Sequence, residues 1–87
     1  MSTFELTIST PDGNKFKGEV TRLFVRGCEG DLAVMAGHIP FATAVVSCDM
    51  RIDLPDGSSR SAAMEGGILT VGSDKVILMS SGIGDLT

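Results

Sequence analysis

The chain has 87 residues, 43% of them hydrophobic, with four Phe, no Trp or Tyr, and a formal net charge of −4. That length supports one small domain with one mainly aliphatic core. The acidic balance, with a pI near 4.6, excludes the basic face of a nucleic-acid binder, and no apolar run approaches the ~18 residues of a membrane-spanning helix.

The amino terminus, Met1 to Glu5, lacks the basic and apolar regions of a signal peptide, so the mature chain is expected in the cytosol. Phe4, Leu6 and Ile8 alternate with Glu5, Thr7 and Ser9, the pattern of a half-buried strand. Thr10-Pro11-Asp12-Gly13-Asn14 then reads as a turn, in which Pro presets φ, Asp bonds backbone and Gly accepts positive φ. Phe16 to Arg26 is the next extended piece, with Thr21, Leu23 and Val25 on one face and Val20, Arg22, Phe24 and Arg26 on the other. Gly18 inside it predicts a bulge or bend, and so long a strand is expected to bend from one sheet to a second.

Gly27 to Pro40 has the most specific residue pattern in the chain. Two apolar pieces, Leu23 to Val25 and Leu32 to Met35, flank a polar turn. Gly27 and Gly30 are expected to take positive φ there, and Asp31 to bond neighbouring amides. Pro40 stops pairing and makes His38-Ile39 extended, so a rigid loop carries the single histidine.

Phe41 to Val46 is a further apolar run. Met50, Ile52 and Leu54 alternate with Asp49, Arg51 and Asp53, and Pro55-Asp56-Gly57 repeats the first turn's chemistry before a returning strand from Ser59 to Glu65. Gly66-Gly67 reads as a sharp sheet-to-sheet turn, Ile68 to Val71 as a strand, and Gly72-Ser73-Asp74 as a turn. Val76 to Met79 is apolar on both faces, which predicts a central, fully buried strand. Ser81 to Thr87 reads as a tail. The expected fold is all-β: a small antiparallel β-sandwich or flattened barrel of about eight to ten short strands.

Candidate chemistry is sparse. Cys28 and Cys48 do not make a disulfide framework, and in an intracellular chain they are expected as free thiols. One histidine and no close cysteine pair argue against zinc. His38 has no orienting carboxylate or nucleophile specified around it, so a contact role outweighs a catalytic one. Glu29 and Asp31 read as solvated turn carboxylates rather than an acid pair in a cleft. Gly66-Gly67 lacks the Lys and the following helix of a phosphate loop. Arg22 and Arg26 read as solvated or rim charges, and Met35, beside the loop, can face a partner. No catalytic set emerges and no cofactor is implied, which favours a binding module.

Phe16-x-Gly18-x-Val20, Gly27-x-Glu29-Gly30-Asp31-Leu32, Gly37-His38-x-Pro40, Thr43-Ala44, Met50-x-Ile52 and Gly66-Gly67-Ile68-Leu69-x-Val71 follow a familiar order and spacing. From Phe4 to Ser80 the chain resembles the amino-terminal domain of the epsilon subunit of the rotary F-type ATP synthase. The resemblance implies a two-sheet sandwich over residues 1–80, with 81–87 as a tail where a helical carboxyl-terminal domain would begin. It implies a non-catalytic rotor domain that docks the gamma subunit onto the c-ring. Ring rotation, driven by protons or sodium ions, then stays coupled to ATP synthesis on other subunits. Carried over by position, Glu29, Gly30 and Asp31 would face the c-ring, and Thr10, His38, Ile39, Pro40, Phe41 and Thr43 would face gamma. The expected location is peripheral, on the cytoplasmic side of the inner membrane. Without the helical hairpin, neither autoinhibition nor nucleotide binding is expected of this chain. The alternatives are a lipoyl- or biotinyl-type carrier modified at Lys75, or a stand-alone adaptor on the same fold. Lys75 lies twelve residues from the end rather than between two similar halves, which speaks against the carrier.

Overall fold

A computed structural model describes residues 2–37 and 39–87. His38 therefore lies outside the described residues. Nine strands follow one another: β1 (Phe4–Thr10), β2 (Gly13–Val20), β3 (Arg22–Gly27), β4 (Gly30–Met35), β5 (Phe41–Val45), β6 (Cys48–Asp53), β7 (Ser59–Met64), β8 (Gly67–Val71) and β9 (Lys75–Ser80). They join in one curled sheet in the order β2-β1-β9-β8-β5-β3-β6-β7, with β4 paired on β3. All pairs are antiparallel except β1–β9, where the first and last strands run side by side. Between those two strands lies the rest of the domain, so the parallel pair needs no dedicated crossover helix.

Every strand contributes to the one core. Leu6, Ile8, Leu23, Met50, Ile52, Leu69 and Leu78 are fully buried, with Val20, Val34 and Val76 beside them. The alternation of buried and open positions in β1, β3, β6 and β9 is the period-two signal of strands with one covered face. The turns at Gly13 (φ 124°) and Gly57 (φ 92°) use glycine for positive φ, as their sequences predict.

The expected strand from Phe16 to Arg26 is two strands. Thr21 interrupts it and is held by Asp53, whose carbonyl accepts both the Thr21 N–H (2.8 Å) and its hydroxyl (3.1 Å). Val20 and Leu23 are both buried. Their odd spacing would put them on opposite faces of a continuous strand, so the break is what brings both into the core. The bulge expected at Gly18 lies earlier, where the register shifts between Ile8 and Ser9 and the β2 partners jump from Phe16 to Asn14. Gly18 stays in the ladder opposite Leu6, and the Phe16 ring lies over it, within 3.5 Å of where a Cβ would stand.

One further expectation is corrected. β9 is central, hydrogen-bonded to β1 and β8, but only Val76 and Leu78 are buried, whereas Ile77 and Met79 are exposed. The sharp turn expected at Gly66-Gly67 is present, since Glu65 and Gly66 alone link β7 to β8, which do not pair with each other, but it is made without positive φ. The two glycines serve close approach: a Cβ on Gly67 would lie 1.9 Å from the Met79 carbonyl oxygen, and one on Gly66 2.9 Å from that of Val45.

Candidate docking surfaces

The β3–β4 hairpin closes with Gly27 opposite Gly30, leaving Cys28-Glu29 as its tip. Only Gly30 takes positive φ (131°); Gly27 does not, contrary to expectation. Asp31 also departs from its expected role. Its Oδ1 accepts the Arg26 Nε–H at 2.9 Å across the hairpin instead of bonding backbone amides. That hydrogen bond, with the charge of Asp31 behind it, raises the Arg26 pKa above its ordinary value. Glu29 is exposed, and its side chain has no ion pair or hydrogen bond among the described residues. The tip thus presents one uncommitted carboxylate and one neutralised pair. Cys28 is exposed and Cys48 half-buried, both as free thiols.

In the segment before and within β5, Ile39 is 82% exposed and Pro40 is open. Phe41 opens the strand opposite Val71, and Thr43 stands half-buried opposite Leu69. Thr10 ends β1 and is partly committed to its turn. Its hydroxyl oxygen accepts the Asp12 N–H and its proton points to the Gly13 carbonyl, each at 3.3 Å, doing the work expected of Asp12. The structure does not cluster Thr10 with Ile39 to Thr43. Phe41 pairs at the Val71–Val76 end of the sheet, and Thr10 follows Ser9 at the Met79 end.

What joins these two corners is a surface that sequence reasoning missed. Across β5, β8, β9 and β1 the outward residues form two cross-strand rows. One runs Ala44, Ile68, Met79, Ser9; the next runs Ala42, Thr70, Ile77, Thr7. Ile68 (51%), Met79 (50%) and Ile77 (43%) are large apolar side chains left in water. A shallow cavity of about 430 Å3 between Thr10-Pro11 and Gly66-Gly67 continues the first row. Beyond the second row the surface becomes charged, with Glu5 between Lys17 (4.0 Å) and Lys75 (3.9 Å). The signal was present in the unbroken run Val76 to Met79, which requires either a second covering layer or an outer face that is apolar in the isolated domain.

A second concavity, of about 860 Å3, opens where β3 leaves β6 to join β5. Its walls hold Arg51 over the Phe24 ring at 4.2 Å, and the Arg26 N–H donates to Cys48 Sγ at 3.4 Å. Asp53 gathers Arg51 (3.2 Å), Arg22 (4.0 Å) and the Ser59 hydroxyl (2.8 Å). These charges are arranged against one another. No group of three His, Cys, Asp or Glu able to hold a metal occurs among the described residues. These charges supply a surface for contact in which Arg22 and Arg51 are both paired with Asp53.

A curled all-β domain with an apolar outer sheet and a charged hairpin belongs to a known class. Residues 3–83 match the family model "ATP synthase, Delta/Epsilon chain, beta-sandwich domain", and the chain belongs to that family. Over 83 residues it is 37% identical to the ATP synthase epsilon chain of Caldicellulosiruptor saccharolyticus, covering 95% of this chain and 60% of that one. It is 38% identical to the epsilon chain of Chlorobium limicola, covering 92% of this chain and 91% of that one. A sodium-ion-specific epsilon chain of Acetobacterium woodii is 33% identical over 78 residues. Among solved structures, a chain of the Euglena gracilis mitochondrial ATP synthase shares the fold with a TM-score of 0.90 at 19% identity, covering 97% of this chain and 54% of that one. A chain of the Tetrahymena thermophila central stalk and c-ring shares it at 0.81 and 14%.

Proposed function

We propose that this chain is a rotor domain of an F-type ATP synthase, holding a gamma-type stalk subunit to the c-ring so that ion-driven ring rotation and stalk rotation stay coupled. The observation that carries the reading is the pair of separate surfaces on one rigid domain, an apolar sheet face and a charged hairpin tip. The apolar face of Ile68, Ile77 and Met79, bounded by Thr10 and by Ile39 to Thr43, suits a permanent contact with the stalk. The Cys28-Glu29 tip, with Gly30 and Asp31, suits an electrostatic contact with polar ring loops. His38 belongs to the gamma-facing segment on the family resemblance alone. Such a domain performs no chemistry of its own and acts from the cytoplasmic side of the membrane as a peripheral component.

Two variants separate the surfaces. Ile77→Asp with Met79→Asp is expected to abolish capture of gamma at low and high salt alike, because the lost contribution is apolar burial. Glu29→Lys is expected to weaken retention of the c-ring at low salt, with the defect easing as salt rises, since exposed charges are screened over about 8–10 Å at ~0.1–0.15 M. Each variant is first checked for an unchanged unfolding midpoint. Retention of both partners by both variants would sink the docking assignment.

A further inference from the structure

Beyond β9 the chain does not trail away. Ile83 forms an antiparallel bridge with Met64 at the outer edge of β7. The Gly84 N–H donates to the Ala63 carbonyl at 2.9 Å, and Ser61 and Thr87 exchange both backbone bonds, at 3.0 and 3.1 Å. From Met64 to Ser61 is three residues, whereas from Ile83 to Thr87 is four. The outer segment therefore carries one extra residue, a bulge. In a regular strand Ile83 and Leu86, three apart, would face opposite sides. The bulge lets both turn inward, and both pack partly buried against the core.

At its start the segment is also held by a buried side chain. Ser80 is 5% exposed, and its Oγ lies 2.8 Å from the Glu65 carbonyl and 2.9 Å from that of Gly82, while receiving the Gly82 N–H at 3.2 Å. One hydroxyl has one proton. The Gly82 carbonyl also accepts the Glu65 N–H at 2.8 Å, and either carbonyl, with two lone pairs, can take the Ser80 proton. This hydroxyl closes the hinge between β9 and the added segment.

We infer that residues 82–87 are a detachable tenth strand, and that the β7 edge beneath them is a strand-accepting surface whose partner in trans is the same segment of a second copy of this chain. When the segment lifts, the Ser61 N–H and the Ser61 and Ala63 carbonyls lose their partners, a cost that drives re-pairing. The bulge and the Ile83 and Leu86 positions make the edge selective for this segment. A second copy supplies that segment in the required register and can exchange it reciprocally about a twofold axis. β2, the far end of the sheet path, instead carries Lys15, Lys17 and Glu19, charges that discourage strand addition.

The 87-residue chain itself provides the test. In the wild type, amide exchange at Ser61, Gly84 and Thr87 is expected to proceed as one group, well ahead of Leu69 and Leu78. Ser80→Ala is expected to speed that group by about tenfold while leaving the core amides unchanged. Light scattering up to the order of 1 mM protein should then show a dimer fraction that grows with concentration, as mass action requires. Ile83→Asp with Leu86→Asp, made in the Ser80→Ala chain, should keep the fast exchange and abolish the dimer. If Ser80→Ala fails to fold, a chain lacking Gly82, whose shortened hinge disfavours docking in cis, takes its place. Exchange of Ser61 only together with Leu78 would overturn the detachable strand. A monomer at every concentration, or a dimer that survives the double Asp change, would overturn the exchange.

Discussion

A methyl group at Gly67 has no room, because β8 and β9 run so close there that it would meet the Met79 carbonyl oxygen at 1.9 Å. Gly67→Ala is expected to destabilise the domain by at least about 1–3 kcal/mol, since the obstacle is backbone and has no rotamer to yield. A lower denaturant midpoint at unchanged m-value checks it. Nothing in the wording Glu65-Gly66-Gly67 separates this requirement from that of a turn, because both leave the same letters in the sequence. The turn at Asp56 was legible, because its chemistry is local. Asp56 Oδ1 accepts the Ser58 N–H at 2.9 Å and the Ser58 hydroxyl at 2.5 Å, and these bonds lower the Asp56 pKa below its ordinary 3.8. A depressed carboxyl contributes stability that is present above the ordinary value and lost as pH falls through the folded one. Asp56→Ala is therefore expected to lower the midpoint at pH 7, and the gap from wild type to close below pH 3.8. A gap that stays constant on acidification would show that the Ser58 bonds do not stabilise this turn.

Along β9, burial divides residues that the sequence presents alike. Val76, Ile77, Leu78 and Met79 are four apolar letters, yet Leu78 is fully buried and Ile77 is 43% exposed. Leu78→Ala is expected to cost about 2–5 kcal/mol through lost burial and the cavity left behind. Ile77→Ser, on the outer face, should shift stability by no more than about 0.5 kcal/mol. Paired denaturation curves test the contrast, and similar losses at both positions would mean that the outer face is covered within the domain itself. Periodicity established that strands exist here and where most of them turn. It could not say whether a second layer covers a two-sided apolar run, because that depends on partners outside the element. The same limit explains the join of β2 and β3: Val20 and Leu23 are both apolar, and only the hold of Asp53 on Thr21 shows that the face reverses between them. Charge and proline mark the hairpin tip and the Ile39–Phe41 corner in the sequence, and the structure leaves both exposed. Ile68 and Met79, contributed by different strands, come together only through pairing.

At the scale of the whole domain the two proposed docking surfaces would use different energies, and the hairpin tip allows the sharper test. Asp31 and Arg26 neutralise each other at 2.9 Å, so the uncommitted charge of the tip is Glu29. An exposed pair of this kind contributes little to stability, and exchanging its members leaves the net charge and the cross-hairpin bond in place. Arg26→Asp combined with Asp31→Arg is therefore expected to fold as the wild type does and to hold the c-ring nearly as well. Glu29→Gln removes the free carboxylate and should weaken ring binding at low salt, by a margin that shrinks toward zero as the screening length falls to about 3 Å at 1 M salt. Both variants should retain gamma at every salt concentration, because Ile68, Ile77 and Met79 are untouched. The measurement is ring retention across a salt series for the three chains side by side. If the swapped chain loses the ring as readily as Glu29→Gln does, the position of Asp31 itself carries the contact, and the field of a single tip carboxylate does not.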